Sequence, residues 1–120
     1  KQGGLIRRRP SAYDLRHLHS VSRLLIKMTI GILKIILFIP DSNSLKEKRM
    51  VLHSLKARLR NNFNVAVNQI GDEDKWQKTT LAVVGVQKNR NNMNSVLSNV
   101  VNFIEELKTT DLINYEMELI

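Results

Sequence analysis

The residues with the clearest chemical potential are cations at helical spacing. Lys46, Arg49, His53, Lys56 and Arg60 recur at intervals of three and four residues. At about 100° per residue they fall within an arc of roughly 80° on a helix. Such a stripe is about 21 Å long, and four of its five members are permanently charged, so it can follow a phosphate backbone by point-charge contacts. Solvated helix faces also carry Lys and Arg, but commonly with both signs interspersed. Here the acid in the segment is Glu47, which has a capping role of its own. The ligand class expected for this face is a polyanion such as RNA.

A second constellation is the run Asp72-Glu73-Asp74 followed by Trp76-Gln77. Three acids could hold a hard cation, but consecutive carboxylates between strands are more simply a solvated turn, and no metal is expected. Trp76, flanked by Lys75 and Lys78, reads either as a base-stacking residue or as a lid on the sheet edge. Gln77 carries no signal of its own. Asp74, Trp76 and Gln77 together form the loop that a small-molecule enzyme would use. Catalysis has little else behind it. The chain contains no glycine-rich phosphate loop, nucleophile elbow or paired-histidine metal motif. His53 has no obvious carboxylate partner nearby in sequence. The expectation is a non-enzymatic module without a cofactor.

The elements that must position these groups follow from patterning. Residues 30–39 are a β-branched apolar run closed by Pro40, which reads as a buried strand. Ser44-Leu45-Lys46-Glu47 is a capping box: the Ser44 hydroxyl can accept from the third helical amide, and Glu47 can reach back to the Ser44 amide. A helix should run to about Asn61, with Leu45, Val51, Leu52, Leu55 and Leu59 facing a sheet. Phe63, Val65 and Val67 alternate with Asn64, Ala66 and Asn68, as in a half-buried edge strand. Thr79 to Gln87 reads as a strand apolar on both faces. Asn89 can cap a second helix whose stripe is Met93, Val96, Leu97, Val100, Ile104 and Leu107. Ile113, Tyr115, Met117 and Leu119 alternate with polar residues as a last half-polar strand.

The order β-α-β-β-α-β, with two strands apolar on both faces and two half polar, predicts an α+β ferredoxin-like sandwich. Right-handed β-α-β connections give an antiparallel sheet of order 4-1-3-2, with both helices on one face. On the open face Ile32, Ile36 and Phe38, with Ala82, Val84 and Val86 beside them, make an apolar patch of the kind that marks an interface. Self-association as a homodimer is expected there. The central strands offer only Phe38 as an aromatic, which excludes base stacking in the manner of RNA-recognition modules. The second helix carries Asn91, Asn94, Ser95, Ser98 and Asn102 outward, with no basic stripe.

Of the formal charge of +8 in 120 residues, +6 belongs to residues 1–27, with seven bases against the single acid Asp14; residues 28–120 carry +2. The basic character therefore belongs to an N-terminal arm rather than to the domain. Met28 immediately precedes the first strand pattern, so residues 28–120 read as the domain. Residues 1–27 read as a non-native upstream or targeting extension, expected to be dispensable. His17 and His19 within it read as solvated. Cysteine is absent, which excludes a disulfide framework, a thiolate metal site and a thiol nucleophile. No apolar run is long enough to span a bilayer. The expected setting is the cytoplasm, away from membranes.

From Met28 onward the chain resembles the YlxP-like family of small bacterial proteins of unknown function. The residues that carry the resemblance are Phe38-Ile39-Pro40, Ser44-Leu45-Lys46-Glu47-Lys48-Arg49, Val51-Leu52, Ser54-Leu55, Arg58, Arg60, Phe63-Asn64-Val65, Val67, Asp74 and Trp76-Gln77. One departure is Gln69, where the family often carries Glu, so no role for a carboxylate at that position carries over. The resemblance implies a setting near translation initiation and ribosome maturation, through gene neighbourhood, and implies no activity.

Overall fold

The computed structural model describes residues 27–120. The expectations for the N-terminal arm, including His17 and His19, lie outside the described residues. The elements are β1 (Thr29–Phe38), α1 (Leu45–Asn62), β2 (Val65–Gly71), β3 (Lys78–Gln87), α2 (Arg90–Glu105) and β4 (Asp111–Leu119). The sheet runs β2-β3-β1-β4, with every neighbouring pair antiparallel. This is the expected ferredoxin-like α+β arrangement.

Period-two alternation in the central strands builds the core. Leu33, Ile35 and Leu37 of β1, with Leu81 and Val83 of β3, are fully buried against Leu52, Leu55 and Leu59 of α1 and Met93, Leu97, Val100 and Ile104 of α2. The intervening β1 positions turn to the other face. There Ile30, Ile32, Ile36 and Phe38 are half-buried and Lys34 is exposed. α2 rides close to the sheet because Gly31 and Gly85 pair beneath it. A Cβ on Gly31 would come within 2.6 Å of Met93 Cγ and 2.8 Å of Leu97 Cδ1, and one on Gly85 within 2.8 Å of Met93 Cε.

Both helices begin at side-chain caps. Ser44 Oγ accepts from the Glu47 amide at 3.1 Å, as its spacing predicts. Glu47 Oε1, however, accepts from the Asn43 amide at 2.8 Å rather than from Ser44. The box is one residue wider than expected because the Asn43 amide is the one turned toward the first turn. Asn89 Oδ1 accepts from the Asn92 amide at 2.8 Å and starts α2.

Two departures follow from tertiary packing. The buried arc of α1 is Lys48, Leu52, Leu55 and Leu59, while Leu45 and Val51 are only half-buried. In β4 the pairing with β1 moves from Ile36↔Asn114 to Leu37↔Leu112. Ile113 is the extra residue of a bulge and is exposed, and Leu112 takes the inward place instead.

Far from the cap of α1, Phe63 and Phe103 meet edge to face, with ring centroids 5.7 Å apart. The Arg58 guanidinium lies 5.5 Å from the Phe103 centroid. Nearer the cap, α1 and the connection from α2 to β4 leave a groove lined by Ile39, Met50, Val51, Leu107 and Thr109, where Met50 is 64% exposed.

Candidate functional site

α1 packs over β2, the edge strand of the sheet. Lys46, Arg49, His53 and Arg60 are exposed and Lys56 is half-buried. Arg60 Nη2 donates to the Val67 carbonyl at 3.1 Å, which holds that side chain against β2 and places the stripe along the β2 side of the helix. The ion pairs found among the described residues join Asp72 to Lys75 and Lys78, and none of them involves the stripe. Five positions inferred from periodicity are thus brought onto one accessible face, with Arg60 partly engaged in structure.

The residue that pattern reading missed is Lys48, one position before Arg49. It is 2% exposed, at the centre of the buried arc of α1. Its Nζ donates to the carbonyl oxygens of Asp72 and Lys75 in the β2–β3 loop. Burial pushes its pKa below the usual lysine value, and the charges of Asp72, Asp74 and Glu73 partly restore it. The backbone of the acidic loop therefore holds a buried lysine, and its carboxylates act on that lysine through their charge. Among the described residues no cluster of three or more His, Asp or Glu side chains is arranged to hold a metal ion.

Asp72 organises the loop. Its φ of 63° lies in the left-handed region, which Asp enters more readily than most residues. Thr80 Oγ1 donates to Asp72 Oδ2 at 2.8 Å, Lys75 Nζ lies 3.2 Å from Oδ1, and Lys78 Nζ lies 4.0 Å from Oδ2. The Thr80 hydrogen bond, followed by the two lysines, holds the Asp72 carboxyl below the usual carboxylate range. Three acids are matched by Lys48, Lys75 and Lys78, so the loop is close to neutral while the neighbouring α1 stripe is not.

Gln77 acquires a role that nothing in its sequence neighbourhood signals. Its Nε2 donates to the carbonyls of Pro40 and Ser42, both at 3.1 Å, and the Ile39 amide donates to its own carbonyl at 2.7 Å. It ties the β2–β3 loop to the connection between β1 and α1. Trp76 thus sits between a residue fixed through Lys48 and a residue fixed through Gln77, and it is 56% exposed. Asp74 is exposed and acts on Lys48 through its charge.

On the open face Ile32, Ile36 and Phe38 do share one side of the sheet, but Lys34 stands exposed between them. Register splits the patch: Ile30 and Ile32 lie opposite Val86 and Val84, whereas Ile36 and Phe38 lie opposite Thr80 and Lys78. Single-letter alternation hid this division, because one lysine in an otherwise apolar strand looks like a minor interruption.

Residues 30–117, which span every strand and both helices, match the family described as "Protein of unknown function (DUF503)". The chain belongs to this family. It is also 38% identical over 76 residues to the "Uncharacterized protein YlxP" of Bacillus subtilis (strain 168), a match covering 63% of this chain and 83% of that protein. Family membership fixes no chemistry, so the functional reading rests on this site alone. At Gln69, where the resemblance departs, Nε2 donates to Thr79 Oγ1 at 3.1 Å within the β2–β3 pair. No helix among the described residues is long and apolar enough to cross a membrane.

Proposed function

We propose that the protein is a non-enzymatic binding module that contacts RNA, free or within a ribosomal particle, through the basic face of α1. The observation that supports this most is the unbalanced charge of that face. Lys46, Arg49, His53 and Arg60 are exposed without a described carboxylate in ion-pair reach, while Asp72 of the neighbouring loop is paired with Lys75 and Lys78. A phosphate backbone is the partner whose charge spacing suits such a track, and release of its counterions drives the association.

The test compares the full chain with two double variants, because the basic arm contributes equally to all three. Lys46→Glu with Arg49→Glu should weaken binding to a single-stranded RNA oligonucleotide. It should also flatten the dependence of log affinity on log salt by at least about 1.4, or about 0.7 per lost phosphate contact. Asn94→Glu with Asn102→Glu, on the exposed face of α2, should leave the salt slope nearly unchanged. Equal losses from both variants would reject the α1 assignment.

A second reading is homodimerisation through the open sheet face. It is favoured by the contiguous quartet Ile30, Ile32, Val84 and Val86, of which Val86 is 52% exposed.

A further inference from the structure

We infer that Trp76 is a base-stacking platform and that the α1 face therefore takes single-stranded rather than duplex RNA; this rests on the polyanion reading above. An exposed tryptophan is costly unless something covers it, and a flexible loop would let it fold back onto apolar surface. Here the loop is held from both sides. Lys48 fixes the backbone at Asp72 and Lys75, and Gln77 fixes the next residue to Pro40 and Ser42. Asp72 is fixed in turn by Thr80. The indole is thus presented to solvent on a braced backbone, the preorganised geometry that makes an aromatic side chain an efficient binding anchor.

The same bracing ties the loop that carries the indole to the helix that carries the phosphate track. Lys48, whose ammonium bonds the carbonyl just before Trp76, stands on the buried side of the same first turns of α1 that carry Lys46 and Arg49 outward. Charge divides the labour between the two elements. Glu73 and Asp74 are exposed and repel a phosphate from the loop tip, but an uncharged base meets no such penalty. α1 takes the backbone and the loop takes a base. Stacking tolerates any base, since each has a π-face, but the base must be unpaired. In a duplex the bases are enclosed and only the backbone is offered.

The chain contains a single tryptophan, so its fluorescence reports on this loop alone and is blind to contacts made by the arm. Titrating the full chain with a single-stranded RNA oligonucleotide should quench Trp76 emission, and a blunt duplex of the same length should bind with little change in emission. Trp76→Ala should weaken single-strand binding roughly tenfold and leave duplex binding unchanged, while Trp76→Phe should recover part of the loss. Single-strand binding with unaltered emission, or a Trp76→Ala variant that binds as tightly as the parent, would overturn the stacking role. If that happens while Lys46→Glu with Arg49→Glu still weakens binding, the stacking inference alone fails. If neither variant changes binding, the polyanion reading fails with it.

Discussion

Lys48 is the residue on which the local architecture turns. An ammonium in a buried arc is tolerated because two carbonyls and a neighbouring acidic run compensate its lost hydration. Replacing it with methionine keeps most of the volume but leaves the Asp72 and Lys75 carbonyls without their donor. Lys48→Met should lower stability by about 1–3 kcal/mol and accelerate amide exchange across residues 72–76. Lys46→Met, two positions away and exposed, should stay within about 0.5 kcal/mol. Chemical denaturation with hydrogen exchange separates the two, and equal effects would refute the bracing role. Asp72 adds a pH dependence with a definite sign. Its carboxyl is held below its usual value in the folded protein, so its contribution is complete above about pH 4 and is lost as pH falls through the folded value. Asp72→Asn should therefore be less stable than the parent at neutral pH, and the gap should narrow on acidification. A gap that widened toward low pH in urea titrations would contradict the assignment.

At the level of elements, close contact of α2 with the sheet depends on two glycines that differ in what surrounds them. Gly31→Ala drives a methyl group into Met93 Cγ and Leu97 Cδ1, neither of which can move without shifting its helix or rotamer. Gly85→Ala comes closer than 3 Å only to Met93 Cε, the free end of a flexible side chain, with Val65 Cγ1 at 3.4 Å. Gly31→Ala should cost about 1–3 kcal/mol by overpacking and Gly85→Ala clearly less, as thermal denaturation would show; the reverse order would mean that α2 is not seated as described. Element identity and sheet order were legible in sequence because apolar periods of two and of about 3.6 alternate cleanly from Thr29 to Leu119. The caps at Ser44 and Asn89 were legible because capping is local. What escaped was non-local. Lys48 turns inward because of carbonyls more than twenty residues later, and a lysine on a helix otherwise reads as solvent-facing. The Ile113 bulge depends on pairing with β1, and strict alternation across Ile113, Tyr115 and Met117 concealed it. Gln77 matters through Pro40 and Ser42, far upstream, and the periodicity of the loop says nothing of that.

Across the whole molecule the charge is polarised. α1 holds six bases and one acid, whereas β4, at the opposite edge of the sheet, holds Asp111, Glu116 and Glu118 and no base. Under the proposed function, this polarity would steer a polyanion to the α1–β2 side and away from the β4 side before contact. The open sheet face is the remaining large surface, and Lys34 narrows its apolar part to the quartet around Val84 and Val86. If that quartet pairs two copies, sedimentation should report a dimer, and Val86→Lys should yield a folded monomer with unchanged RNA affinity. A parent chain that sediments as a monomer at high concentration would remove the dimer.

The groove between α1 and the α2–β4 connection has a consequence for how the protein ages. With no cysteine in the chain, methionine sulfur is the first target for oxidants. Met93 of α2 is sealed against the sheet, and Met28 and Met117 are half-buried, but Met50 stands largely in solvent at the groove rim. Peroxide should convert Met50 to its sulfoxide well before the others. The groove would then gain a polar, chiral oxygen where it had a soft thioether, while the core and the basic face of α1 stayed chemically intact. Reductase repair of that one sulfur would restore the original surface.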